Sequence, residues 1–138
     1  KSAPDWSDTL MSVGLLLISH DGIGPALLGT TSLMLGGCPL QAKLLMASRD
    51  SDPDDLSRQA EEFVDALDTG DGVLILTDLY GSTPSNIASR INNQHEIRAI
   101  SGVNLSMLIR VLNYPELDLA ALADKALSGG QDGIREIP

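Results

Sequence analysis

The sequence predicts an α/β fold: a doubly wound, mainly parallel open sheet in the strand order 2-1-3-4, with helices on both faces. Three observations carry this. Strand and helix signals alternate along the chain, as successive βαβ units require. The first strand, residues 13–18, is an unbroken apolar run, which suits a strand covered on both faces. Two strands end in polar residues directly before a helix-like segment, one in Ser19-His20-Asp21-Gly22 and the other in Asp78-Leu79-Tyr80-Gly81-Ser82-Thr83-Pro84. Loops at the carboxyl edge of a parallel sheet have that character.

Taken in order, residues 1–9 are polar, contain Pro4 and show no apolar period. Residues 1–12 are read as an N-terminal tail or foreign remnant, and residues 13–138 as one domain. After strand one, Gly24-Pro25 opens a helix, since proline at the first helical position loses no hydrogen bond. This helix carries Ala26, Leu27, Leu28, Leu33 and Leu35, and Gly36-Gly37 stops it. Strand two spans roughly residues 41–46. Asp52-Pro53-Asp54-Asp55 combines an Asx cap, a proline and first-turn acids. Leu56, Ala60, Phe63, Val64 and Leu67 then recur on one helical face. Strand three is Val73–Thr77. Thr83-Pro84 starts a helix running to about Asn93, and strand four follows over residues 97–100. Asn104 precedes a short helix, Leu105–Leu112, and Pro115 breaks the pattern. A last helix covers residues 117–127 and ends at Gly129-Gly130, and residues 133–137 form a short edge strand. Met46 and Met107 fit core positions.

Composition narrows the function. The chain has 138 residues, 43% of them hydrophobic, enough for a buried core. Aromatics are 3%, so that core is aliphatic. A net charge of −10 disfavours nucleic acid and anionic membrane surfaces, whose phosphates call for clustered lysine and arginine. An acidic body suits a basic protein partner. The lone Cys38 cannot form an internal disulfide and reads as structural. No apolar run approaches the roughly 18 residues of a membrane helix. With no targeting segment in view, a cytoplasmic setting is expected.

In a 2-1-3-4 sheet the strand order reverses between strands one and three, where ligands bind in such folds. Those are the strands that end in His20 and Asp78. Alone, His20 reads as a surface histidine at a loop start. A carboxylate at the neighbouring strand end changes that reading. It fixes the tautomer of an imidazole and leaves the other nitrogen free to attack. Gly81, Ser82 and Thr83, before Pro84 at a helix start, offer N–H groups and hydroxyls to an anion. The loop is neither a Walker A motif nor a GxGxxG or GxSxG fingerprint. Asn86 and Arg90 share a helix face behind it. Ser19, Asn86 and Asn104 are candidate supports, and Asn104 is also a helix cap. His95, among Asn92, Asn93, Gln94 and Glu96, reads as a solvated loop residue. The two histidines lack a metal-ligand spacing, and no metal is expected.

Three blocks stand in order: Ile18-Ser19-His20, Asp78 to Ile91, and Ser101 to Leu108. The middle block closely resembles a D-x-x-G-G-S-P-x-N-A-A pattern, with Thr83 at its serine position. Together they resemble the IIA domain of the mannose family of the bacterial sugar phosphotransferase system, over residues 13–137. The resemblance implies that His20 accepts a phosphoryl group from the histidine-containing phosphocarrier protein and passes it to a IIB protein. On this reading the chain is a phosphotransferase component with a phosphohistidine intermediate. It implies that Asp78 holds Nδ1, leaving Nε2 to react, and that Thr83 and nearby N–H groups hold the phosphate. It also implies a homodimer exchanging C-terminal strands, and no cofactor. Asp21 and Ser82 stand where this family commonly has glycine. The alternative is a free-standing regulatory module whose His20 phosphorylation state controls a partner without sugar transport. A third reading, a small-anion binding domain, has no covalent step.

Overall fold

In the computed structural model, which describes residues 12–91 and 94–138, the apolar runs lie side by side. β1 (Gly14–His20), β2 (Ala42–Ala47), β3 (Val73–Thr77) and β4 (Ile97–Ser101) form a four-stranded sheet in the order β2-β1-β3-β4. All three pairings are parallel. The helices are α1 (Ile23–Leu35), α2 (Pro53–Leu67), α3 (Thr83–Ser89), α4 (Leu105–Leu112) and α5 (Leu119–Asp132). The expected tail over residues 1–12 lies outside the described residues except for Ser12. Its backbone N–H donates to the Asp71 carboxylate at 2.9 Å.

Alternation along the central strands builds two cores. Leu15, Leu17, Leu74 and Leu76 face one side and pack with α1, α4 and α5. Leu16, Ile18, Val73 and Ile75 face the other and pack with α2 and α3. This double covering is why β1 and β3 read as unbroken apolar runs. Two local signals act as expected. The Asp52 side chain accepts from the Asp54 N–H at the start of α2, and Asn104 accepts from the Met107 N–H at the start of α4.

The structure corrects several expectations. α5 does not stop at Gly129-Gly130 but runs through both to Asp132. These glycines lie against α4: a Cβ on Gly129 would strike the Arg110 side chain, and one on Gly130 would sit 2.9 Å from Met107 Cε. Close helix packing, rather than termination, explains them. Gly129→Val is therefore expected to cost about 1–3 kcal/mol, the usual penalty for overpacking, read as a lower urea midpoint. α3 ends at Ser89, short of the expected Asn93, and Asn92 and Asn93 lie outside the described residues. No strand forms over residues 133–137, whose Ile134 and Ile137 are 79% and 88% exposed. A strand needs a ladder partner, and this segment has none among the described residues. Leu33 and Leu35 of α1 are exposed. α1 is apolar nearly all round, so it carries more apolar surface than one packed face can cover. Met46 is also exposed, because β2 is an edge strand and buries Leu45 and Ala47 on the opposite face.

Candidate functional site

The pairing of β1 with β3 runs from Gly14↔Val73 to Ile18↔Thr77, which brings the two strand ends together. One residue beyond Thr77, the Asp78 side chain turns back across β1. Its Oδ2 accepts the His20 backbone N–H at 2.9 Å and the His20 Nδ1–H at 2.8 Å. The carboxylate is 8% exposed and the imidazole 43%. Thus a buried acid grips one edge of a ring whose other edge faces solvent. Burial opposes the charge on Asp78, but the backbone and ring N–H groups of His20 outweigh it and hold the carboxyl below its ordinary pKa. With Nδ1 protonated towards Asp78, Nε2 carries the lone pair and has no partner among the described residues.

The loop after β3 turns tightly through Gly81, whose φ of 80° is left-handed and suits glycine. The Gly81 N–H donates to Ser85 Oγ at 3.3 Å, and the Ser82 hydroxyl donates to the Leu79 carbonyl. Ser82 has a φ of −92°, so a serine sits there without strain. Thr83, at the first position of α3, is exposed. Of the three expected phosphate-binding residues, Gly81 and Ser82 are thus engaged in shaping the turn, and Thr83 presents an uncommitted hydroxyl.

The expected supports divide. Ser19 is buried on the strand face opposite His20, where its Oγ accepts the Gly24 N–H at 2.8 Å. It ties the start of α1 to β1 and does not touch the imidazole. Asn104 caps α4 and donates from Nδ2 to the Gly130 carbonyl at 3.2 Å. Asn86 is exposed on α3, and Arg90 is exposed at its end. Sequence reasoning missed Ser85, which holds the Gly81 turn. Its place four residues after that glycine is the only signal for it. It also missed a cavity of about 420 Å³ beside the loop, bounded by Thr77, Tyr80, Ser85, Arg98 and Leu127. Residues distant in sequence line it, so no local pattern announces it. Among the described residues no group of three His, Cys, Asp or Glu side chains is placed to hold a metal.

The second histidine is no solvated loop residue. His95 Nε2 lies 2.6 Å from Asp65 Oδ1 and its Nδ1 lies 2.7 Å from Asp68 Oδ2, joining the α3–β4 connection to the end of α2. The Asp68 hydrogen bond, then that of Asp65, raises the His95 pKa above the ordinary imidazole value. The His95 hydrogen bond in turn lowers that of Asp68. A raised histidine stabilises the fold below its unfolded pKa and loses that contribution as pH rises through the folded value. A lowered aspartate contributes above its unfolded pKa and loses it as pH falls through the folded value. The clamp is therefore strongest in mildly acidic solution. His95→Asn is expected to cost up to about 1 kcal/mol near pH 6 and less at pH 9, checked by unfolding at both pH values.

Comparison with known proteins gives a consistent set of similarities. The model of the EIIA-man family, described as "PTS system fructose IIA component", matches residues 14–127. The mannose-specific EIIAB component of the PTS from Escherichia coli K12 is 39% identical over 77 residues. That match covers 51% of this chain and 23% of the relative, so the chain spans about a quarter of that protein's length. Among solved structures, the mannose/sorbose-specific IIA subunit from Enterococcus faecalis superposes with a TM-score of 0.81 at 25% identity, over 93% of this chain and 96% of that one. The IIA protein associated with the fucose utilization operon of Streptococcus pneumoniae gives a TM-score of 0.76 at 23% identity. It covers 91% of this chain and 93% of its own, and likeness at that identity speaks for the fold alone.

Proposed function

The chain belongs to the EIIA-man family of PTS IIA components, and from that premise we propose that it is a phosphoryl carrier working through His20. Nε2 accepts the phosphoryl group of a histidine-containing phosphocarrier protein and hands it to a IIB protein. The observation that carries the reading is the 2.8 Å contact of His20 Nδ1 with Asp78 Oδ2, which leaves Nε2 open at the sheet edge.

The chemistry follows from that contact. The Nε2 lone pair attacks phosphorus as the donor's P–N bond breaks, and the bonding pair stays on the donor ring. Because Nδ1 keeps its proton, the His20 ring becomes positive as the new bond forms. The Asp78 carboxylate lies against that developing charge and stabilises it. The Thr83 hydroxyl and the N–H groups at the start of α3 offer donors to the phosphoryl oxygens.

The same reading has the protein act as a cytoplasmic homodimer. Two features support exchange of C-terminal strands. Among the described residues the outer edge of β4 is unpaired, and Ile134 and Ile137 are exposed. The test is incubation with labelled phosphoenolpyruvate, the first enzyme of the system and the phosphocarrier, followed by a IIB protein. Acid-labile label is expected on this chain and then on IIB. Absence of label would overturn the phosphoryl-acceptor reading. Label that IIB cannot remove would replace the carrier with a phosphorylation-controlled regulator.

A further inference from the structure

We propose that Asp21 raises the transfer potential of a phosphoryl group carried on His20, an inference that rests on His20 being the phosphoryl acceptor. Among the described residues Asp21 is the only non-glycine residue with positive φ, at 29°. It directly follows His20, and consecutive Cα atoms lie about 3.8 Å apart. Its backbone N–H donates to the Ala47 carbonyl at 3.1 Å, so β2 holds the strained turn in place. Strain of this kind persists where the surrounding structure enforces it, and it concentrates at working sites.

The ordinary uses of an aspartate at this point are not met. The α1 N-cap is Gly22, and the Gly24 N–H of the first turn is taken by Ser19 Oγ, so Asp21 does not cap the helix. Its carboxylate makes no hydrogen bond or ion pair among the described residues, and it is exposed at the same sheet edge as the ring. Solubility does not call for it in a chain with 19 acidic residues and a net charge of −10. What remains is an uncompensated negative charge one residue from the reacting nitrogen.

The consequence is electrostatic. A phosphoryl group on Nε2 is doubly negative near neutral pH. The Asp78 charge is balanced by the positive ring, but nothing balances Asp21. Repulsion raises the free energy of the phosphorylated form. Transfer onward breaks the P–Nε2 bond, returns its electron pair to Nε2, forms a new bond from phosphorus to the acceptor nitrogen and relieves the repulsion. His20 is thereby a weaker store and a stronger donor. At a separation of several ångströms in a water-like dielectric the effect is about threefold to tenfold on the equilibrium, and 1 M salt screens it.

The experiment measures the equilibrium distribution of label between the phosphocarrier protein and this chain, for wild type, Asp21→Asn and Asp21→Gly, at low salt and in 1 M salt. Both variants are expected to shift label towards this chain by about threefold to tenfold at low salt, with the difference vanishing in 1 M salt. A wild-type constant for Asp21→Asn overturns the proposal and leaves the phosphoryl-acceptor reading standing. A shift with Asp21→Gly alone assigns the effect to backbone strain and likewise overturns the proposal. Failure of every form to take label on His20 overturns both.

Discussion

His20→Ala is expected to abolish acid-labile phosphorylation while leaving the protein folded. The imidazole is 43% exposed and adds little to either core, so its loss leaves the packing intact. The backbone N–H of residue 20 still donates to Asp78, but the buried carboxylate loses its ring partner. A buried charge that loses a hydrogen bond costs about 1–3 kcal/mol, so the variant should unfold at lower urea concentration than wild type. His20→Gln, whose amide can still reach the carboxylate, should recover part of that stability and none of the labelling. The two variants together separate chemistry from folding. Label that survives both substitutions would move the acceptor elsewhere. His95, the other histidine, is a poor candidate because carboxylates occupy both of its ring nitrogens.

Asp78→Asn is expected to slow phosphoryl transfer by about 10²–10⁴-fold, the range for losing a charged orienting partner of a catalytic imidazole. An asparagine oxygen can take the place of Oδ2 and accept the two His20 hydrogen bonds. It cannot balance the positive charge that the ring acquires as the P–N bond forms. Its amide nitrogen would replace Oδ1, which is buried without a partner, and so bury unsatisfied donors. Rapid-quench transfer rates test the first effect, and an unchanged rate would remove Asp78 from the chemistry. The second is tested through pH. Since the Asp78 pKa is lowered in the folded state, its contribution to stability is present above the unfolded carboxylate pKa and disappears as pH falls through the folded value. The variant should therefore lose less stability on acidification than wild type over that interval.

These expectations rest on parts of the molecule that differ in how far local sequence reveals them. The caps at Asp52 and Asn104 and the apolar runs of β1 and β3 are local, and each forms where the sequence places it. Gly129-Gly130 read locally as a stop, because glycine is a poor helix former and a common terminator. Packing against α4 overrides that preference and keeps the helix going. His95 reads locally as solvated because its neighbours are polar. Its actual partners, Asp65 and Asp68, lie 30 and 27 residues earlier, and only the packing of α2 against this end of the sheet delivers them. Ser19 looked like a site residue by adjacency, yet strand alternation turns it to the opposite face.

By itself, then, the sequence determined which segments become strands and helices and that a histidine and an aspartate each stand at a strand's carboxyl end. Those properties depend on neighbours a few residues away: apolar period, caps and prolines. The meeting of His20 with Asp78 is different. The two are 58 residues apart, and their 2.8 Å contact requires β1 and β3 to be adjacent in one register. That adjacency arises because the helices after β1 and β2 pack on opposite faces of the sheet, which sends β3 back to the free side of β1. Tertiary structure alone also put Asp21 into a left-handed turn beside the ring, because β2 must hold its N–H while α1 starts two residues later.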